Sequence, residues 1–246
     1  MSAINKPVQS YLVYGMPTIK EGDDLAYHIE SQFPLQNEDV VCIASTIVAK
    51  SEGRFRYLDD YYPSPRAIQI ASAIGKDPRF VQAVIDESAE ILLQQPFILS
   101  MTRFGHICVN AGIDQSNVGE GRILLLPKDP QASAERIRSR LSKKCAVIIT
   151  DTCGRPFRCG VTGVAVGCSG IAGLRDWRGV PDMHGRKLEI TLEAIADEIA
   201  GMANLLIGEA GAGTPVAVIR GLKYPKSGGS LFMPEENDVI RPYLKS

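Results

Sequence analysis

Short apolar runs alternating with amphipathic segments, but not in strict β–α order, predict an α+β chain of mixed sheets and packed helices. Two further observations support this. Gly, Pro or Asp bounds nearly every apolar run, and the longest periodic segment repeats at helical rather than strand spacing. At 246 residues there is room for a substantial core, as one unit or as two small intertwined subdomains.

In chain order, a strand is expected at 11–13, a helix at 23–31 and a strand at 40–44. Helices follow at 65–74 and 78–92, where Pro65 and Pro78 stand at the first helical position and their missing N–H costs nothing. Strands are expected at 97–102, 107–110 and 123–126, then a helix at 132–141 and a strand at 146–150. The longest helix is predicted over 188–206. Leu188, Leu192, Ile195, Ile199, Met202 and Leu206 recur at spacings of four and three and share one face. Glu189, Glu193, Asp197 and Glu198 fall mostly off that face and read as its solvated side, and Gly208 ends the helix. A last strand is expected at 216–219, ahead of an irregular Gly-, Pro- and Ser-rich stretch at 223–236. There are no internal repeats.

Composition narrows the function classes. Lys plus Arg number 27 against 28 for Asp plus Glu, so a formal net charge of −1 gives no electrostatic reason to expect nucleic acid or an acidic membrane as partner. Any polyanion must be held by a local constellation. No apolar run nears the roughly 20 residues that span a bilayer, and residues 1–9 lack the apolar centre of a signal peptide. The six cysteines form no C-x-x-C pair, and the three histidines lie far apart, so free thiols in a reducing, cytoplasmic setting are expected rather than a zinc site.

Three segments have the makings of a ligand site. Asp151-Thr152-Cys153-Gly154-Arg155 follows an apolar strand, and an acid followed by a hydroxyl suits Mg²⁺ or Mn²⁺, hard ions that take oxygen ligands. Arg155 and Arg158 offer forks for phosphate or carboxylate, although the same run also suits a plain Asp-Thr-x-Gly turn. In the second segment, Asp114 and Asn117 follow Gly112 in a loop that serves equally as an Asx-rich connection. The third, 208–215, has Gly208, Gly211 and Gly213 within six residues and then Thr214, so its backbone N–H groups could cradle phosphates, or it could simply be a pliant connection. It is neither a P-loop, since Thr214 stands where Lys is required, nor a Rossmann fingerprint, since it follows a helix. Segments 15–24 and 45–54 each follow a strand; the hydroxyls and Lys50 of the latter suit a phosphate or base, or a capped surface turn.

Together these segments resemble the coenzyme F420-0:L-glutamate ligase family. The resemblance is carried by G-M-P-T-I-K-E-G-D-D-L at 15–25, S-T-I-V-A-K-S-E-G-R at 45–54 and F-V-Q-A-V at 80–84. It continues in V-N-A-G-I-D-Q-S-N-V at 109–118, I-I-T-D-T-C-G-R at 148–155 and A-D-E-I-A-G-M-A-N-L-L-I-G-E at 196–209. Six ordered motifs cover nearly the whole chain as a single ligase unit, with only 223–246 loosely matched.

The resemblance implies a family-specific α+β fold, distinct from P-loop, Rossmann and ATP-grasp proteins, in an intertwined homodimer. It implies a GTP-dependent ligase that joins L-glutamate to the phospholactate carboxylate of F420-0, then a γ-linked glutamate, through an acyl phosphate. Mg²⁺ or Mn²⁺, two per site, and K⁺ are the implied ions. By the same resemblance Asp114, Asp151, Thr152 and Glu209 are the catalytic, metal-holding residues. The implied GTP contacts are Gly15, Met16, Pro17, Thr18 and Ile19 in the first turn, then Ser45, Lys50 and Asn117. The glycine loop adds Ile207, Gly208, Ala210, Gly211, Ala212, Gly213 and Thr214. A related ligase with another acceptor and a non-catalytic GTP-binding protein are the competing expectations. A fused F420 reductase is not expected in 246 residues.

Overall fold

The runs V-V-C-I-A at 40–44 and A-V-I-I at 146–149 offer no charged or hydroxyl side chain to turn toward water, so each forms a strand buried on both faces. These two strands pair in parallel at the centre of the fold. The computed structural model describes residues 7–115, 118–210 and 213–244. The elements run β1 (Gln9–Leu12), α1 (Leu25–Gln32), β2 (Val40–Ala44), α2 (Ser45–Ser51), β3 (Phe55–Tyr57), α3 (Pro65–Ile74), α4 (Pro78–Glu87) and β4 (Ser88–Leu93). They continue as β5 (Leu99–Thr102), β6 (Ile107–Val109), β7 (Arg122–Leu124), α5 (Pro130–Arg140), β8 (Ala146–Arg155) and β9 (Arg158–Ser169). The chain closes with β10 (Arg175–Asp176), β11 (Leu192–Glu193), α6 (Ile195–Ile207), β12 (Val216–Arg220) and α7 (Arg241–Leu244).

The main sheet has the order β1-β12-β2-β8-β9, and β2–β8 is the one parallel pair among the described residues. A doubly wound parallel sheet is thereby excluded, and the architecture is α+β. Helices α1, α2 and α5 cover one face, burying Ile29, Val48 and Ile137 against Val41, Val147 and Val216. Helix α6 covers the other, with Ile195, Ile199, Ala200 and Ala203 against Cys42, Ile148 and Ile219. A separate apolar core between α2 and α5 in sequence packs α3 and α4 on Ile98, Ile123 and Leu125, beside the β3–β7 pair and the β4-β5-β6 sheet. No helix among the described residues is long and apolar enough to cross a membrane.

Helix 65–74 and strand 40–44 form where the pattern predicts them. Four expectations need correction. The helix expected over 78–92 stops at Glu87, where the Ser88 hydroxyl donates to the Val84 carbonyl (2.6 Å) and residues 88–93 pair with β5 instead. The helix expected from 188 begins at Ile195. Leu188 and Leu192 match the period without being helical, because Glu193 pairs with Arg175 in the β10–β11 ribbon and accepts from Trp177 Nε1 (2.5 Å). Asp197 is also not a solvated acid: it is half-buried and accepts from the Ala165 N–H (2.8 Å) on β9. Finally, 45–51 is the helix α2 rather than a turn, and Asp151 lies inside β8, which runs on to Arg155.

Helix α6 can lie directly on β9 because Gly163 has no side chain. A Cβ there would collide with the Ala200 carbonyl and stand 2.7 Å from the Asn204 Cβ. Gly163 is also the ladder partner of Thr152 on β8. The same contact therefore sets how far the end of α6 stands from the Asp151-Thr152 pair. Gly163→Ala should lower stability by about 2 kcal/mol, through backbone that has to shift apart. Gly154→Ala, on the same hairpin with open space and ordinary φ, should change it by less than about 0.5 kcal/mol. Urea midpoints of the two variants measure this, and equal midpoints would show that the helix does not rest on Gly163.

Candidate functional site

A cavity of about 660 Å³ opens where the parallel pairing of β2 and β8 ends, at Ala44 and Thr150. Its floor is Ser45, the first residue of α2, together with Thr150, Asp151 and Thr152 of β8. The Ser45 hydroxyl donates to Asp151 Oδ1 (3.3 Å), linking the start of α2 to the middle of β8. Asp114 enters from the 110–114 turn. Its backbone N–H and carbonyl both pair with Leu124 (2.9 and 2.8 Å), which fixes the carboxylate's origin at the cavity wall. Glu209 follows Gly208, whose φ of 73° lets the chain leave α6 sharply, and it accepts from Asn204 Nδ2 (2.9 Å) one turn back.

Electrostatics tie the three acids together. Asp151 is pushed up from the ordinary 3.8 to about 6, first by burial and then by the negative charges of Asp114 and Glu209, against lowering by hydrogen bonds from the Thr152 N–H and Ser45. Lys50 is the only cation among the described lining residues. A triphosphate could not settle beside three carboxylates and one lysine unless further positive charge came with it.

The donor set fits a hard divalent cation in kind, since every ligand atom offered is oxygen. Thr214 adds a buried hydroxyl with no hydrogen-bond partner among the described residues. Among the described residues no three His, Cys, Asp or Glu side chains close on one point. Such an ion would need water or ligand oxygens as well, which is how Mg²⁺ is usually held on phosphates.

The sequence-predicted residues largely meet here. Met16, Pro17, Thr18 and Ile19 form one rim, and Ser45 and Lys50 lie beneath it. Asp114, Asp151 and Thr152 face Ile207, Gly208, Glu209 and Ala210, with Gly213 and Thr214 beyond. Gly15 does not line the cavity; its φ of 77° turns the chain next to Gln32. Asn117, Gly211 and Ala212 lie outside the described residues. Arg155 and Arg158 sit at the exposed end of the β8–β9 hairpin, away from the cavity. Sequence reasoning passed over Asn204 and Thr150. Asn204 had a signal, being the one polar side chain in the otherwise apolar run M-A-N-L-L-I.

No cysteine is poised as a nucleophile. Burial pushes Cys42 up to about 12, and burial with the neighbouring Asp151 charge raises Cys108 and Cys153. The site is arranged to hold charge and position groups, not to form a covalent bond through sulfur.

Known proteins resemble this chain along nearly its whole length. The model of the F420-0:gamma-glutamyl ligase family matches residues 15–221, a span that includes every acid of the cavity. Among curated relatives, the coenzyme F420:L-glutamate ligase of Archaeoglobus fulgidus is 51% identical over 97% of this chain and 98% of its own. The protein of the same name from Haloarcula marismortui is 49% identical over 97% of each chain, and that of Methanosarcina acetivorans 48% over 96% of each. With the six motifs in order and the match running nearly end to end, this chain belongs to the F420-0:gamma-glutamyl ligase family.

Proposed function

We propose that this chain is a ligase that forms an amide bond between the phospholactate carboxylate of F420-0 and the amine of L-glutamate, and then adds a γ-linked glutamate, at the expense of GTP. The observation that carries the reading is the meeting of Asp114, Asp151, Thr152 and Glu209 in one cavity with a glycine loop and Lys50, in a chain of this family.

A carboxylate is a poor electrophile toward an amine. In this reading a carboxylate oxygen of the acceptor attacks the γ-phosphorus, GDP leaves, and an acyl phosphate forms. The glutamate amine then attacks the acyl carbon, and phosphate departs with one of the original carboxylate oxygens. The protein's part is positioning. Lys50 and the N–H groups of Gly208, Ala210, Gly213 and Thr214 hold phosphate oxygens, while the 16–19 rim and Ile207 shield the reacting atoms from water. Asp114, Asp151, Thr152 and Glu209 would hold Mg²⁺ or Mn²⁺, which neutralises phosphoryl oxygens. Two such ions per site, with K⁺ as an accessory ion, belong to the same proposal.

The intertwined homodimer is also part of it. Phe157 at the hairpin tip is fully exposed, and Met183 and Ile190 in the 176–193 arm are about nine-tenths exposed. Apolar groups of this size at two projecting points favour burial against a second copy.

Three tests follow. Incubation with F420-0, L-glutamate and GTP should give products heavier by one and then two glutamyl units, read by mass spectrometry and lost with a chelator. Equal turnover with ATP would remove the guanine preference. For Asp151→Asn, ligation should be abolished while the metal-free protein becomes more stable. A folded pKa of about 6 lies above the ordinary 3.8, so the folded state binds this proton more tightly than the unfolded chain. The stability tied to that proton is present below about pH 4 and lost as pH rises through about 6. At pH 7.5 the Asn variant should therefore gain roughly 1–3 kcal/mol, and at pH 4 nothing. Near-normal turnover would remove Asp151 from the site. The dimer should give unfolding midpoints that rise with protein concentration, whereas light scattering at 26.7 kDa would refute it.

A further inference from the structure

A second cavity, of about 740 Å³, opens beside the first. Leu126 lines the first and Lys128 the second, two residues and at most about 7 Å apart along the chain.

This second space is built unlike the acid cavity. One wall is aromatic: the rings of Phe104 and Phe232 lie 6.1 Å apart, and buried His106 packs behind both, at 6.4 Å from Phe104 and 5.8 Å from Phe232. Facing groups include Arg103, Lys128 and Lys226, with the 227–230 Ser-Gly loop between. Two carboxylates are present, but each is engaged. Asp129 caps α5 through the Ala132 N–H (2.9 Å), and Glu135 accepts from Gln131 Nε2 (2.8 Å). Of the cations, Lys226 pairs with Glu38 (3.2 Å) and Arg103 donates to the Asp86 carbonyl (2.8 Å). Lys128 is exposed and makes no hydrogen bond or ion pair among the described residues.

An aromatic wall plus an unspent cation on the side toward the acid cavity suits a flat ring that carries an anionic tail. We infer that this second cavity receives the tricyclic ring of the F420-0 acceptor on Phe104 and Phe232, with Lys128 holding its phosphodiester, so that the lactate carboxylate reaches the acid cavity. The inference rests on the ligase reading above and assigns where the acceptor lies. Nucleotide and acceptor then occupy separate cavities that meet near Leu126–Lys128, and the rings of the two substrates do not compete for one surface.

The test is a titration of the protein, without nucleotide, with F420-0 and with a deazaflavin probe bearing the polyol but no phospholactate. The ring's own fluorescence reports both, and GTP affinity is measured separately by calorimetry. Phe232→Ala should weaken both fluorescent probes on the order of tenfold. Lys128→Ala should weaken F420-0 but leave the truncated probe unchanged. Both variants should keep the wild-type GTP affinity, which also shows that they fold. If wild-type protein binds and ligates F420-0 and both variants bind it equally well, the ring lies elsewhere and the inference fails while the ligase reading stands. If wild-type protein neither binds nor ligates F420-0, the ligase reading itself fails. Should Phe232→Ala lose GTP binding as well, the exposed Lys128 decides the matter: unchanged F420-0 affinity there overturns the inference.

Discussion

The close seat of α6 on β9 at Gly163 is the constraint on which the site depends. Helix α6 is pinned near its start by Asp197 accepting from the Ala165 N–H, and at mid-length by the absence of a side chain at Gly163. Alanines at 196, 200 and 203 keep the rest of the interface thin. The helix therefore ends at a fixed height above the sheet, and Gly208 turns Glu209 toward Asp151 and Thr152. Because Gly163 is the ladder partner of Thr152, packing and site geometry are set by the same residue pair. The third acid, Asp114, comes from the other apolar core and is fixed by its backbone pairing with Leu124.

The assembled cavity is unfavourable to itself. Three carboxylates share one opening, one of them pushed to about 6, and a single lysine faces them. Charge repulsion of this kind opposes folding, and strongly perturbed acids in a cleft cluster at functional sites. In the proposed reading, Asp114, Asp151, Thr152 and Glu209 would hold divalent ions, whose charge would offset the carboxylates and the phosphates together. The cost is carried by the two-sided sheet, whose central strands are buried on both faces and hold the floor of the cavity rigid.

Much of this was legible in the sequence, and the failures have physical causes. Strand 40–44 and helix 65–74 read correctly because period, caps and breakers agree there. Strand β9 escaped notice because Gly160, Gly163 and Gly167 break its pattern. Gly163 and Gly167 are the points where α6 and α5 come close, so the residues that hide the strand are the ones that let helices dock on it. Leu188 and Leu192 imitate a helical face while lying in a ribbon held by Glu193, a tertiary constraint that no local period reports. Asp114 and Asp151 stood out as candidate oxygen ligands in their own loops and Glu209 only through the family's motifs, whereas their convergence is a property of the fold. Asn204, which steadies Glu209, looked like one more helix residue until the turn after Gly208 placed the two together.

The central claim is that the cavity activates a carboxylate by transferring phosphate to it, with no covalent link to the protein. Transfer of ¹⁸O tests it most directly. F420-0 labelled with ¹⁸O in both oxygens of the lactate carboxylate is turned over in excess over GTP, so that only the first glutamate is joined, and the released phosphate is examined by mass spectrometry. Passage through an acyl phosphate predicts one ¹⁸O in the phosphate for each amide formed. Amide formation with unlabelled phosphate would contradict the account, because GTP would then have been hydrolysed by water without ever being joined to the acceptor.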